Sequence, residues 1–480
     1  MSRIIAGPFN RVEGDLEVAL DIRDGIIERA EVTTTLYRGF EQILSGRPGL
    51  DALVIAPRIC GICSVSQSIA AATALRNLAG GRAAPNGYIA ANLAHAAENI
   101  ADHLTHFYLF FMPDFARDEY AGRPWFGEAV PRFKAVSGSG SAQFLPMRKR
   151  LLEVMGVIAG KWPHSLAFQP GGTTRAIDVG ERVQLATLLG EFQVFLEQSL
   201  YGDSLDTILS LETEDELAAY AEGMAGDFRF FLRLAEDLAL SRLGKGPGWL
   251  LSYGAYHTAE GSLLPAGVAQ ADGTILPLDA GGISEDVAHS WFLETGDRPW
   301  NAETVPTAEK EKAYSWAKAP RLAKAPAEAG AVARLAVAGH PLILSLIARD
   351  GGTSVRTRIV ARLIETALLV HSMGGWLREL RLKDEFSSHF ALPENAEGAG
   401  LVEAARGALG HWVSIRDDPI ERYQIIAPTT WNFSPRDAAG VPGPLEAALA
   451  GLDTRGMGAK SAALQHVIRS FDPCMVCTAH

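Results

Sequence analysis

The sequence predicts an α+β protein, mainly helical, with a β-rich N-terminal part, and three observations carry that prediction. Apolar residues alternate over Leu16, Val18, Leu20 and Ile22, the period of a half-buried strand. Between residues 88 and 111 the positions Leu93, Ala97, Ile100, Leu104, Phe107 and Phe111 recur every three or four residues, one apolar stripe of a helix. Long amphipathic patterns then recur around 147–160, 178–200, 213–240 and 353–384, interrupted by Gly/Pro/Ala-rich stretches at 244–282 and 317–341 that suit loops with short strands.

Taken in chain order, the first element is a β-hairpin: Asp24-Gly25 supplies the positive-φ positions of a tight turn before Ile26 to Val32. A loop punctuated by glycine and proline leads into Ala56-Pro57-Arg58-Ile59-Cys60-Gly61-Ile62-Cys63. The Ser/Ala/Leu segment that follows runs to Leu78 and stops at Gly80-Gly81, a helix with a glycine terminator. Cys60 and Cys63 therefore fall at a helix N-terminus, where backbone N–H groups favour a thiolate. Beside the apolar stripe of 88–111 runs a polar one, His95, Asn99, Asp102 and His106. It is either a solvated face or a face that turns Asp102 or a histidine toward a buried polar site. No internal repeat interrupts the pattern.

Composition narrows the function classes. The chain has 480 residues, 48% hydrophobic and 21% charged, enough apolar material for a large buried core. Its net charge of −12 lacks the footprint that nucleic-acid backbones or anionic lipid surfaces require. The sequence holds no apolar run of about 18 residues or more, so direct membrane insertion is not expected. The N-terminal Met-Ser-Arg-Ile-Ile-Ala-Gly lacks a long apolar stretch, and the chain reads as cytoplasmic unless a partner carries the address.

The four cysteines are the sharpest feature. All lie in two C-x-x-C pairs, Cys60/Cys63 and Cys474/Cys477, near opposite ends of the chain. Four are too few for a disulfide scaffold in a chain of this length, and each pair can hold one metal ion or act as a redox dithiol. Four thiolates suit zinc, an iron–sulfur cluster or another soft divalent metal such as nickel. A zinc clip on the C-terminal segment is the plain alternative. If both pairs share one site, residues 1–480 form a single domain whose metal site is built from both chain ends. Other candidates sit on loops: Glu13 in Arg11-Val12-Glu13-Gly14, Glu41 in Arg38-Gly39-Phe40-Glu41, Pro320 and Arg321 in Lys318-Ala319-Pro320-Arg321, and Pro428 and Thr429 in Pro428-Thr429-Thr430-Trp431-Asn432. Each charged residue among them is, by type alone, first of all a surface group.

Together these segments resemble the large subunit of [NiFe]-hydrogenases. Arg58-Ile59-Cys60-Gly61-Ile62-Cys63 is similar to that family's first cysteine motif, and Asp472-Pro473-Cys474-x-x-Cys477-x-x-His480 to its second. The resemblance implies a large-subunit-like fold with a central helix bundle. It implies that Cys60, Cys63, Cys474 and Cys477 ligate nickel, with Cys63 and Cys477 bridging to an iron that carries cyanide and carbon monoxide. It implies heterolytic cleavage of H2, with Glu13 as the proton gate, Arg321 over the open coordination site, and Asp102 and Asp472 positioning that arginine. Pro320, Pro428 and Thr429 would surround the cyanide ligands, while Glu41 and His480 would bind a divalent ion, usually magnesium. Gln67 stands where the family usually has histidine, and Trp162-Pro163-His164 keeps part of a His-Pro-His motif. The Gln67 pattern is similar to that of the H2-sensing regulatory subgroup, which implies a low-turnover sensor signalling to a histidine kinase; an energy-conserving uptake enzyme is the alternative. Because all four cysteines serve one site, the iron–sulfur clusters are expected in a small partner subunit, and maturation proteins are expected to load the metals.

Overall fold

The alternating N-terminal segment folds as a three-stranded antiparallel sheet, β1 (Ser2–Ala6), β2 (Leu16–Arg23) and β3 (Ile26–Thr34), in the computed structural model, which describes residues 2–258, 260–454, 461–478 and 480. Val18 pairs with Val32 and Leu20 with Ala30, so one face of the hairpin is wholly buried. Asp24 and Gly25 both take positive φ, as a tight hairpin turn demands.

Helix α1 (Ser64–Leu78) starts directly after Cys63, which is its N-cap residue. Helix α2 (Pro85–Thr105) opens on a proline, whose missing N–H costs nothing in the first turn, and continues as a π-helical segment over His106–Phe111. Its polar stripe is not a solvated face: His95, Asn99, Asp102 and His106 are all buried. Helix α2 packs against α3 (Ser139–Ala159), α3 against α4 (Val179–Phe195), and α4 against the long helix Val355–Glu379 that closes the bundle. The pattern over 213–240 becomes two helices, Glu214–Ala221 and Asp227–Asp237, because Gly226 at φ 100° breaks it.

The interruption at 244–282 holds an antiparallel hairpin, β4 (Trp249–His257) and β5 (Ser262–Gln270), and the second one holds β7 (Ala319–Leu322), which pairs with β6 (Ile283–Asp286). Helix α5 (Ala331–Val337) and the bundle-closing α6 (Val355–Glu379) follow. A second three-stranded antiparallel sheet, β8 (Ala396–Ala404), β9 (Gly407–Ile415) and β10 (Ile420–Ile426), then leads into α7 (Pro428–Asn432), α8 (Pro444–Leu449), α9 (Ala462–Ser470) and the short α10 (Met475–Thr478).

The approach of α1 to this sheet is backbone to backbone. A Cβ at Gly400 would stand 2.0 Å from Ala70 O, and one at Gly398 2.4 Å from Ala74 O, so both positions require glycine. Between α1 and the sheet lies a buried cluster that contains all four cysteines. Among the described residues no single helix is long and apolar enough to cross a membrane.

Candidate metal centre

The four sulfurs converge in the interior. Cys60 Sγ lies 3.7 Å from Cys474 Sγ although 414 residues separate them, Cys63 Sγ lies 3.3 Å from Cys477 Sγ, and Cys474 and Cys477 are 3.1 Å apart. None forms a disulfide, and none is more than 5% exposed. Thiol hydrogen bonds from Cys474, Cys477 and Cys63 hold Cys60 well below the ordinary thiol range. Cys63 and Cys474 are each drawn down by a bond to Cys477, but the bond to Cys60 and burial outweigh it and leave both well above that range. Cys477 is pushed up by its bonds to Cys474, Cys60 and Cys63 and by burial. Four buried thiols packed this closely, with no disulfide among them, are the donor set that a soft cation takes, so the residues fit a thiolate-bound metal centre.

Both halves of the cluster are fixed by their neighbours. Glu13 and Cys474 form a parallel bridge in which Glu13 N donates to Pro473 O at 3.3 Å and Met475 N donates to Glu13 O at 2.7 Å. Gly14 follows at φ 82°, where a Cβ would stand 3.1 Å from Met475 Cβ. The Arg38 guanidinium donates to Ile59 O at 2.5 Å and also to Val476 O, so one side chain ties the two cysteine segments together. Cys474 N donates to Thr429 Oγ1 at 3.2 Å, which places Thr429 and the adjacent Pro428 in the first turn of α7 against the cluster. Half-buried Glu13 has its carboxyl raised by burial and by the charge on Cys60. Gln67, fully buried, brings Nε2 to 4.0 Å from Cys63 Sγ.

The cation beside the sulfurs is not the expected one. Asp102 and Asp472 do not position Arg321; they hold Arg406. Its Nη2 donates to Asp102 Oδ1 at 3.0 Å and to Asp472 Oδ1 at 3.2 Å, and its Nε to Asp472 O at 3.0 Å. Burial, which would lower the Arg406 pKa, is outweighed by Asp102 and Asp472 and then by Cys474 and Cys60. Burial raises Asp102 to about 8 against the pull of Arg406. In Asp472 burial pushes the carboxyl up, but Arg406 together with His106, Arg362 and His103 overcomes it and holds the group below the ordinary range.

Arg321 lies on β7 and reaches away, to Asp437 Oδ2 at 2.9 Å, Ser434 Oγ at 3.3 Å and Val441 O at 2.9 Å, so it staples the 434–441 loop. Pro320, beside it on β7, spends its carbonyl on Arg321 Nη1 at 2.9 Å. Reach separates the two arginines: the guanidinium of Arg321 is committed to Asp437, whereas Arg406 sits in the tight turn between β8 and β9, which points it at Asp102.

Glu41 and His480 meet at 3.5 Å in a separate buried polar cluster. Glu41 Oε1 accepts from Ile425 N at 2.9 Å, and Lys318 Nζ lies 3.3 Å from Glu41 and 3.7 Å from Glu285. Burial would raise Glu41, but Lys318 and then His480 and Thr304 overcome it and bring the group to about 2. Glu285 Oε1 is buried with no hydrogen-bond partner. The carboxylates of Glu41 and Glu285 and the His480 imidazole are ligand types that a hard divalent ion accepts, and in this structure the Lys318 ammonium lies against both carboxylates.

Sequence reasoning missed three residues here. Arg406 was overlooked although Ala405-Arg406-Gly407, between two runs of strand-forming residues, marks a hairpin turn with an arginine at its tip. Glu98 accepts from Val65 N at 2.8 Å, Ser66 N at 2.9 Å and Trp162 Nε1 at 2.9 Å, capping the first turn of α1 beside Cys63. Nothing in the sequence marks it. His411 joins the Gln67 amide, as described below.

Fold and site together define a protein built around a buried cluster of four thiols, drawn from segments far apart in the chain, that suits a soft metal. The chain belongs to the nickel-dependent hydrogenase family, whose model matches residues 38–117 and 141–480. It is 29% identical to the periplasmic [NiFeSe] hydrogenase large subunit of Desulfomicrobium baculatum over 100% of this chain and 95% of that protein. It is 26% identical to the uptake hydrogenase large subunit of Rhodobacter capsulatus, with the same coverage. The H2-activated [NiFeSe]-hydrogenase of Dm. baculatum is structurally similar at a TM-score of 0.86 and 28% identity, covering 100% of both chains.

Proposed function

We propose that this chain is the large subunit of an H2-oxidising enzyme that takes up hydrogen and passes electrons to a small iron–sulfur subunit. The observation that carries this reading is the convergence of four buried sulfurs beside a buried arginine–carboxylate cluster. Cys60, Cys63, Cys474 and Cys477 would hold nickel, with iron carrying cyanide and carbon monoxide beside it; when bound, this pair supplies heterolytic cleavage of H2. The chain's own residues do the rest. Arg406 presents a fixed positive charge that Asp102 and Asp472 keep from swinging away. Glu13, next to the Cys474 backbone and with its carboxyl raised, accepts the proton and hands it outward. Pro428 and Thr429 wall the site, and Glu41 and His480 would hold magnesium, tying the C-terminal segment down. Relatives named as uptake hydrogenases support this reading.

A second reading, an H2 sensor that signals to a histidine kinase in the cytoplasm, is favoured by one observation, the non-ionisable Gln67 beside Cys63. Turnover separates the two. Sustained H2-dependent dye reduction by the purified heterodimer with no effect on any kinase supports uptake; slow turnover with H2-dependent kinase control supports sensing. An infrared spectrum without cyanide or carbon monoxide bands, with zinc bound, would sink both.

A further inference from the structure

Gln67 lies one helical turn after Cys63, with Gln67 N donating to Cys63 O at 3.0 Å. Its amide has two different ends, and in a buried place their order matters. The oxygen end is fixed: Gln67 Oε1 lies 2.8 Å from His411 Nε2. An amide oxygen only accepts, so His411 donates there through Nε2–H, and a neutral imidazole then carries a bare Nδ1. That Nδ1 lies 2.8 Å from the Tyr423 hydroxyl, which is left to donate. Burial pushes His411 down to about 3, so the ring is neutral. Gln67 and His411 are wholly buried and Tyr423 is 3% exposed, so water does not substitute for any link.

The links therefore run in one direction, from the Tyr423 hydroxyl to His411 Nδ1, from His411 Nε2–H to Gln67 Oε1, and from Gln67 Nε2–H toward Cys63 Sγ. Reversing the last two would aim amide lone pairs at the sulfur lone pairs. The carrier elements are rigid: His411 is on β9, Tyr423 on β10 opposite Val413, and α1 is pressed on the sheet at Gly398 and Gly400.

We propose that His411 and Tyr423 are positioning residues that set the orientation of the Gln67 amide, and through it the hydrogen bond that withdraws electron density from the Cys63 sulfur. The proposal rests on the nickel–iron reading of the four cysteines. Loss of an N–H donor makes a thiolate a stronger electron donor. Tyr423→Phe removes one hydroxyl and keeps the ring; no donor then selects the Nε2–H tautomer of His411, and the Gln67 amide is no longer held to one orientation.

The test is the infrared spectrum of the loaded heterodimer, read at the carbon monoxide and cyanide bands. In Tyr423→Phe these bands are expected to move to lower wavenumber, as in Gln67→Leu. Adding His411→Gln, whose amide donates whatever residue 423 is, is expected to return them. Bands that stay at the parent position in Tyr423→Phe overturn the proposal. If that variant does not take up the metals, His411→Leu beside His411→Gln asks the same question: a shift in the leucine variant alone supports the proposal, and equal positions overturn it. A parent protein with no such bands overturns the nickel–iron reading itself.

Discussion

Arg406 Nη1 lies 2.7 Å from Asp102 Oδ2, and this contact, rather than any made by Arg321, places a buried cation beside the four sulfurs. Arg406→Lys shortens the fork and breaks its two-carboxylate geometry. H2-dependent dye reduction is expected to fall about a hundred- to thousandfold, on the scale of losing one preorganised charge at an active site. Arg321→Lys is expected to keep that activity and to lower the unfolding temperature through the 434–441 loop. Equal loss of activity in both variants would return Arg321 to the site.

Arg334 on α5 clamps the same hairpin from behind. Its buried guanidinium bonds Glu403 at 2.7 Å, Ala404 O at 2.8 Å and Ala405 O at 3.1 Å, and it pairs with Glu365 at 2.8 Å. Arg334→Gln leaves Glu365 and Glu403 buried without their partner, which costs roughly 3–5 kcal/mol. Denaturant titration should show that loss together with reduced turnover, since the turn that carries Arg406 is no longer held. Unchanged stability would mean that water replaces the guanidinium.

Stability should depend on pH through Glu446. Burial raises its carboxyl to about 7, against the pull of Val32 N, Tyr314 and Arg436. A group raised in the folded state contributes stability that is complete below its unfolded value, 4.5, and lost as pH rises through about 7. At about 1.4 kcal/mol per pH unit, the loss amounts to roughly 3 kcal/mol. Glu446→Gln keeps an oxygen for Val32 N and Tyr314 and cannot ionise. Its stability relative to the parent is expected to improve between pH 5 and pH 8; a constant difference would show that Glu446 is ionised throughout.

Removing the metals should loosen both ends of the site at once. Met475 N bonds Glu13 O and Cys474 N bonds Thr429 Oγ1, so binding at the sulfurs also protects these amides. Hydrogen exchange in the metal-free protein is expected to quicken over 12–14 and 474–478 while the middle of α2 stays slow. Equal exchange with and without metal would mean that protein contacts alone hold the ends.

Local chemistry made part of this molecule legible in advance. The β2–β3 hairpin announced itself by alternation and Asp24-Gly25, and α1 by the glycines that stop it. The polar stripe on α2 was visible as a stripe, but not its burial, which depends on what α6 and the β8–β9 turn bring against it. Arg321 and Arg406 illustrate the limit: both stand in Ala-x-Arg contexts, and the choice between them rests on which carboxylate lies within reach. Glu98 is an ordinary helix residue until the first turn of α1 is set beside it.

The distance in sequence between Cys60 and Cys474 also sets an order in time. The first pair leaves the ribosome 414 residues before its partner, on the order of 20–80 s earlier at roughly 5–20 residues per second. Through that interval Cys60 and Cys63 are an open dithiol, available to oxidants and to other metals. A centre assembled from both pairs therefore depends on the first pair staying reduced until Cys474 and Cys477 arrive.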